Sequence, residues 1–233
     1  MHNIQKEIIL DLIHKPKAAF TELLKGRRNS NDFSYHLNAL KENKLIILKE
    51  GFYSLSSEGK KLSAFIEGAT GERAEFPTFS HVIIAWKGRK LLAQRRLKEP
   101  FYGVWGLISG KINFGLNIEE CALRDITEES GLYARAAKLI AVNQIKTNEE
   151  GKLAFHHIMF HVRLDGITGK LLEKTYKAEN KWVTVEEFKQ LNRFPDPWLD
   201  YVIDAKKFLI VETEREIKDG IFISGKITKK RLV

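Results

Sequence analysis

The sequence predicts a multidomain α+β chain: a small helical domain carrying one β-hairpin, then a larger α/β domain in which strands surround a single strong helix. Three observations predict it. Residues 68–77 read GATGERAEFP, a run of glycine, small polar residues, mixed charge and proline that suits a linker. Before this run apolar residues recur at helical spacing, and after it they gather into strand-like stretches. Between Asn117 and Gly131 lie both the start and the stop signals of one well-bounded helix. The expected domains are therefore 1–67, a linker at 68–76, 77–207, and a basic extension at 208–233.

The first domain opens with Ile4, Ile8, Ile9, Leu12 and Ile13 at helical period, ending before Pro16. Phe20, Leu23 and Leu24 suit a second, shorter helix, and the polar turn from Arg27 to Asn31 follows. A third helix turns Phe33, Leu37 and Leu40 inward and Ser34, Tyr35, Asn38 and Lys41 outward. Leu45–Leu48 and Phe52–Leu55 form two strands around Lys49, Glu50 and Gly51, and Ser57 caps a last helix through Lys60, Lys61 and Leu62.

In the second domain His81–Trp86 and Lys90–Gln94 read as strands around a Lys87-Gly88-Arg89 turn. Next comes the strong helix. Asn117 is its N-cap with Glu120 as the capping-box partner, and Gly131 is its left-handed stop. Strands follow at Ala136–Ile145 and Leu153–Leu164 about a Glu149-Glu150-Gly151 turn, another starts at Trp182, and Val185–Leu191 reads as helical. The extension holds FLIV, a Lys218-Asp219-Gly220 turn and IFISGKI, which makes a hairpin, and ends in Lys229, Lys230 and Arg231.

Composition narrows the function. The lone Cys121 excludes an internal disulfide framework and a cysteine-based zinc site, and points to a reducing compartment. The amino-terminal MHNIQKEIIL lacks the pattern of a secretory signal, and no apolar run approaches a membrane span, so the cytoplasm and no membrane partner are expected. A net charge of +9 suits nucleic acid, phosphate-rich ligands or an anionic surface.

The chemistry concentrates in GKINFGLNIEECALRDITEESGL, Gly110 to Leu132. Asp125, Glu128 and Glu129 stand at i, i+3 and i+4 and share a helix face. That face continues back through Ala122, Cys121 and Ile118, the apolar side that packs inward. Carboxylates buried together need a positive partner, of which a divalent cation is the simplest; the bland alternative is a solvated, salt-bridged helix face. Of the histidines, His157 and His161 on one strand stand too far apart to share an ion. His156 alternates with Ile158, Phe160 and Val162 as a core-facing residue would, and one of these imidazoles is free to line a ligand pocket. Phe101 and Tyr102 stack a base or fill the core, and Trp105 fills the core.

Gly110, Arg124, Ile126, Glu128, Glu129, Gly131 and Leu132 match at the right spacing the signature G-x5-E-x7-R-E-U-x-E-E-x-G-U, with U aliphatic. In these residues the segment resembles the Nudix box of hydrolases acting on nucleoside diphosphates linked to another group. Leu116 and Asp125 stand where that family has Glu. The resemblance implies an α/β/α sandwich and a Mg²⁺ (or Mn²⁺) ion held by Asp125, Glu128, Glu129 and the Gly110 carbonyl. Arg124 then orients the acids, which are the catalytic group. Leu116 leaves Arg124 short of a partner, and the shorter Asp125 lowers the rate or brings in a bridging water. Glu179, in a Glu-x-x-Trp with Trp182, is expected near the metal or substrate.

Residues 1–67, with FSYHLNALKENKLI and GFYSLSSEGKKL, resemble the winged helix-turn-helix of ArsR-like regulators. The resemblance implies that Ser34, Tyr35, Asn38 and Lys41 enter the DNA major groove, while Arg27, Arg28 and Lys49 meet phosphates. The alternative is a module for protein contacts or dimerisation. Together the two resemblances imply a homodimeric DNA-binding regulator that binds, and sometimes hydrolyses, an ADP-ribose-like nucleoside diphosphate derivative. The alternative is a Mg²⁺-dependent pyrophosphohydrolase with an accessory winged-helix module.

Overall fold

A computed structural model describes residues 1–24, 30–66, 75–99, 101–195, 197, 199–203, 205–219 and 221–233. The chain divides into two compact units, Met1–Glu75 and Phe76–Val233.

The first unit runs α1 (Asn3–His14), β1 (Ala18–Ala19), α2 (Phe20–Leu24), α3 (Ser30–Glu42), β2 (Ile46–Lys49), β3 (Phe52–Leu55) and α4 (Ser57–Ser63). The strands form an antiparallel sheet in the order β1-β3-β2. Ile8, Ile9 and Leu12 of α1 and Phe33, Leu37 and Leu40 of α3 are buried against Leu23, Ile46 and Leu55 in one apolar cluster. Glu50 (φ 55°) and Gly51 (φ 82°) turn the β2–β3 hairpin with consecutive positive φ angles, the geometry that matches strand twist. The cap of α4 is Ser56, one residue earlier than the sequence suggests. Its Oγ accepts the Gly59 N–H at 3.0 Å and donates to the Lys44 carbonyl, so one hydroxyl starts the helix and ties it to the end of α3.

The second unit runs β4 (Thr78–Lys87), β5 (Lys90–Arg96), β6 (Trp105–Gly106), β7 (Ser109–Lys111), α5 (Ile118–Ser130), β8 (Leu132–Tyr133), β9 (Ala136–Glu149), β10 (Lys152–Asp165), β11 (Thr168–Gly169) and β12 (Ala178–Val183). It ends with α6 (Val185–Lys189), α7 (Leu199–Val202), β13 (Leu209–Lys218) and β14 (Ile221–Leu232). Among the described residues the main mixed sheet follows β12-β5-β4-β10-β9-β13-β14, with β6 beside β5 and β7 beside β4. The pairs β4–β10 and β9–β13 are parallel and the rest antiparallel. One face packs on α5 through Ile83, Ala85, Ala122, Ile126 and Leu164. The other packs on α6 and α7 through Val82, Ala141, Phe188, Leu199 and Val202.

Two features place the site. Strand β4 pairs with β5 only at Trp86 and Lys87, and over Ser80–Val82 it pairs with β7 instead, which brings Gly110 against its first half. The segment from 208 is the second feature. It is a hairpin, but its first strand lies against β9 and extends the main sheet. Along β13 burial alternates: Leu209, Val211, Thr213, Arg215 and Ile217 are buried, while Glu212 and Glu214 face Lys229 and Lys226 of β14. Acids facing lysines across two strands hold this hairpin to a two-residue period that the run of charges conceals in the sequence.

Candidate active site

The strong helix is bounded as expected. Asn117 Oδ1 accepts the Glu120 N–H at 2.9 Å, Glu120 Oε2 accepts the Asn117 N–H at 3.0 Å, and Gly131 closes the helix at φ 69°. Cys121, Ala122 and Ile126 are buried, and Asp125 with them, at 7% exposure. Gly110 faces His81 across the β4–β7 pair, and both lie under the Asp125 carboxylate. A Cβ at Gly110 would overlap Asp125 Oδ2 and stand 2.9 Å from His81 Cε1, so only glycine lets the strand come this close.

The positive partners of the acids belong to the chain. Arg124 donates to Asp125 Oδ1 through Nε at 2.8 Å and Nη2 at 2.5 Å, and to Asn113 Oδ1 at 3.2 Å. Arg124 is therefore not short of a partner: Asn113 and Asp125 take the place left by Leu116. His81 Nε2 lies 3.2 Å from Asp125 Oδ2, a close contact that is not aligned as a hydrogen bond. Burial alone would push the Asp125 carboxyl up, but the contacts with His81 and Arg124 outweigh it and hold the carboxyl below its ordinary range. The same bond to Asp125 raises Arg124.

Glu129 is held equally firmly. Gln94 Nε2 donates to it at 3.0 Å and Lys177 Nζ lies 3.3 Å away. Burial would pull Lys177 down, but the charge of Glu129 outweighs it and raises the amine. Burial pulls Arg96 down, opposed by Glu129. Asn180 closes this corner, donating to the Glu129 and Leu172 carbonyls. Glu128 is the outer acid, its side chain 60% exposed and 3.8 Å from Arg124.

The box residues, with Arg96 and Lys177, line a cleft of about 560 Å³. Gly110, Arg124, Asp125, Glu128 and Glu129 all contribute to one wall. Lys111, Arg96, Lys98 and Lys177 make its rim basic, and Phe101, Trp105 and Phe194 supply an aromatic side. Phe101 holds φ 69°, a strained angle for a side chain of its size. Trp105 packs on the core as expected and also lines the cleft, with Lys181 Nζ 4.3 Å over its ring. Tyr102 is 60% exposed and outside the cleft.

Glu179 is not brought to the cleft. Its neighbour across β5 is Arg95, whose Nη1 lies 3.2 Å away, and Lys174 is at 3.6 Å. Of the histidines, one lines the cleft as expected, while His156 departs from its expected core-facing place. His161 is fully buried, His157 lines the cleft, and His156 is partly exposed beside Gln144 at 3.0 Å. Strand β10 is central, with layers on both faces, so strict alternation is not the rule for it. In the first unit Tyr35, Asn38 and Lys41 are exposed along α3, and Lys49 is exposed at the end of β2. Ser34 Oγ donates back to the Ser30 carbonyl. Arg27 and Arg28 lie outside the described residues.

Burial, and then the charge of Arg215, push His161 down to about 3. It is neutral in the fold, while in the unfolded chain it takes up a proton near pH 6.5. The unfolded state binds more protons between those values, so this contribution is complete above pH 6.5 and is lost as pH falls toward 3, by up to about 1.4 kcal/mol per unit. Urea midpoints are expected to drop between pH 6.5 and 4.5, less steeply in His161→Leu. Parallel slopes would dismiss His161 as the cause.

The NUDIX domain family model matches residues 75–202, more than half of the chain. Over 123 residues the chain is 28% identical to the ADP-ribose pyrophosphatase of Methanocaldococcus jannaschii, covering 53% of this chain and 68% of that protein. Among solved structures it resembles the mutator MutT protein of Bacillus halodurans, with a TM-score of 0.54 at 18% identity, over 65% of this chain and 97% of that one. That likeness is one of fold. A looser one, with a TM-score of 0.43 at 18% identity, is to the NUDIX domain of Shewanella oneidensis NrtR complexed with ADP ribose; it covers 59% of this chain and 89% of that one and is too weak to bear on the ligand here.

Proposed function

Because the chain belongs to the NUDIX domain family, we propose that its second unit binds a nucleoside diphosphate derivative of the ADP-ribose kind without rapid turnover, and that the first unit is a winged helix-turn-helix whose DNA binding responds to that ligand. The observation that carries this reading is the capture of Asp125. The acid aligned with the water-activating position of the box is one methylene short and already engaged by Arg124 and His81. The cleft retains what binding needs: a basic rim for phosphates and an aromatic side for a base. The relative named ADP-ribose pyrophosphatase supports this ligand class.

Asp125, Glu128 and Glu129, beside the Gly110 carbonyl, form a hard oxygen donor set that suits Mg²⁺ or Mn²⁺. Among the described residues no three His, Cys, Asp or Glu side chains converge closely enough to hold an ion, and Arg124 and Lys177 are paired with Asp125 and Glu129. When bound, the ion would neutralise diphosphate oxygens and acidify a water. The chain's own part is then to release Asp125 from Arg124, keep Glu129 anchored through Gln94, and meet the diphosphate with Lys111, Arg96 and Lys177.

For the first unit the support is the element order, the exposed Tyr35, Asn38 and Lys41 on α3, Lys49 by the hairpin turn, and the net charge of +9. The regulator would act in the cytoplasm as a homodimer on paired half-sites. A ligand alters DNA affinity only if it favours one binding state. No helix among the described residues is long and apolar enough to cross a membrane.

A second reading, a Mg²⁺-dependent pyrophosphohydrolase with the first unit as accessory, is favoured by one observation: all three box acids line the cleft on an intact, doubly capped helix. Calorimetry of the full chain with ADP-ribose and Mg²⁺, followed by product analysis, separates the two. Binding with little product is expected. Turnover near the ordinary enzyme value of ~10 s⁻¹ would replace the sensor by the hydrolase. Failure to bind any of a panel of nucleoside diphosphate derivatives would overturn both.

A further inference from the structure

The family match ends at residue 202, yet the β13–β14 hairpin beyond it reaches the aromatic side of the cleft. Phe101 and Phe194 line that side, and both are partly exposed. Phe222 of β14 touches both. Its ring centroid is 4.5 Å from that of Phe101, with the planes tilted by 30°, and 5.3 Å from that of Phe194, with the planes at 71°. Phe101 and Phe194 meet edge to face at 5.6 Å and 80°. The three rings thus adopt the offset and edge-to-face arrangements that aromatic pairs favour.

The backbone around each ring is fixed. The Phe194 N–H donates to the Trp105 carbonyl at 3.1 Å, and its ring lies on Gly106, where a Cβ would stand 3.0 Å from Phe194 Cδ2. Gly225 of β14 packs on the next residue: a Cβ there would overlap the Pro195 carbonyl oxygen. Glycine at 225 therefore lets β14 run directly beside Phe194. Phe101 sits in the loop between β5 and β6. The Gly103 N–H donates to the Arg96 carbonyl at 2.8 Å and the Arg96 N–H to the Val104 carbonyl at 3.0 Å, which closes that loop. The φ of 69° at Phe101 needs surroundings that hold it, and the nearly parallel Phe222 ring backs one face of the Phe101 ring. Arg96 and Lys98 line the cleft from the same loop, so it presents cations and a ring together.

We propose that the hairpin is a working part of the binding site and that Phe222 is a positioning residue: it backs Phe101 and Phe194 so that their rings form the wall on which the ligand's base stacks. This rests on the nucleotide reading of the cleft and assigns its base subsite. Phe222 acts through the two rings it touches. The diphosphate is met by Arg96, Lys111 and Lys177, so losing Phe222 weakens the hold on the base and spares the hold on the phosphates.

The test uses the full chain with Mg²⁺ and two probes measured by calorimetry: ADP-ribose, which carries a base, and inorganic pyrophosphate, which does not. The wild type is expected to bind ADP-ribose more tightly. Phe222→Ala is expected to weaken ADP-ribose about tenfold, the scale of one base stacked on one ring, and to leave pyrophosphate within about threefold, a fraction of it. Phe222→Tyr, which keeps the ring, is expected to retain ADP-ribose affinity. Phe101→Ala combined with Phe222→Ala should lose less than the two single losses multiplied, because one residue acts through the other. Circular dichroism checks the fold; if Phe222→Ala has lost it, Phe222→Leu, which keeps apolar bulk without a ring, takes its place with the same split expected. Unchanged ADP-ribose affinity in the variant, an equal loss for both probes, or losses that multiply in full overturn the positioning role and leave the nucleotide reading standing. If the wild type binds neither probe, or pyrophosphate as tightly as ADP-ribose, the base wall falls together with the nucleotide reading.

Discussion

Gly110→Ala is expected to destabilise the second unit by about 1–3 kcal/mol, the range for forcing a methyl into a filled site, and to abolish nucleotide binding. The new Cβ would overlap Asp125 Oδ2 and press on His81 Cε1 at 2.9 Å. Neither neighbour can step aside cheaply. Asp125 is pinned by both Nε and Nη2 of Arg124, and His81 is fully buried in the centre of the unit. Relief comes only by parting β7 from β4, which widens the cleft beside the box acids. Gly115→Ala is the control. It sits in the loop that follows β7, at φ 88° with nothing within 4 Å of a Cβ, so its cost is backbone strain alone. Urea melts and ADP-ribose calorimetry should show Gly115→Ala mildly destabilised but binding, and Gly110→Ala failing both. If the two variants match, the packing of Gly110 on Asp125 does not hold the site together.

Residue spacing made the box helix legible because helical geometry is local: Asn117, Glu120 and Gly131 bound it through contacts within a few residues. The inward face of Asp125 followed from the same arithmetic. What satisfies Asp125 was not legible. A cation was called for, but Arg124 was assigned only an orienting role, and His81 comes from a strand whose register with β7 no local pattern fixes. The same holds for Gln94 and Lys177 around Glu129, which arrive from β5 and from the turn before β12. Glu179 shows the converse. Its spacing to Trp182 suggested the site, but the antiparallel pairing of β12 with β5 turns it onto Arg95. In the segment from 208, ETEREI reads as a polar run until its partners are known. Strand pairing makes it a half-buried strand, and Arg215 thereby reaches the cleft.

Arg124→Gln should shift the balance between stability and metal binding in opposite directions. Asp125 has 9% of its side chain exposed, and Arg124 is its closest donor. Removing the guanidinium leaves a buried carboxylate with His81 alone, at a cost of about 1–3 kcal/mol near neutral pH. The pH dependence identifies the cause. In the wild type the carboxyl is held below 3.8, so its contribution is present above that value and is lost as pH falls through its folded pKa. In the variant, burial goes less opposed and the carboxyl titrates higher, so the folded state gives up its proton less readily than the unfolded chain. The gap between wild type and variant should therefore be widest near pH 7 and narrow as pH falls toward 4, where the variant's carboxyl takes up its proton while the wild type's is still ionised. A constant gap would mean that Arg124 stabilises by packing instead. With the guanidinium gone, Asp125 becomes available to Mg²⁺ alongside Glu128 and Glu129. Any ligand that binds only the folded state raises stability in proportion to the logarithm of its saturation. Millimolar Mg²⁺ should then raise the melting temperature of Arg124→Gln more than that of the wild type. An equal rise would show that Arg124 does not compete for the carboxylate, and the capture of Asp125 would no longer argue for binding over turnover.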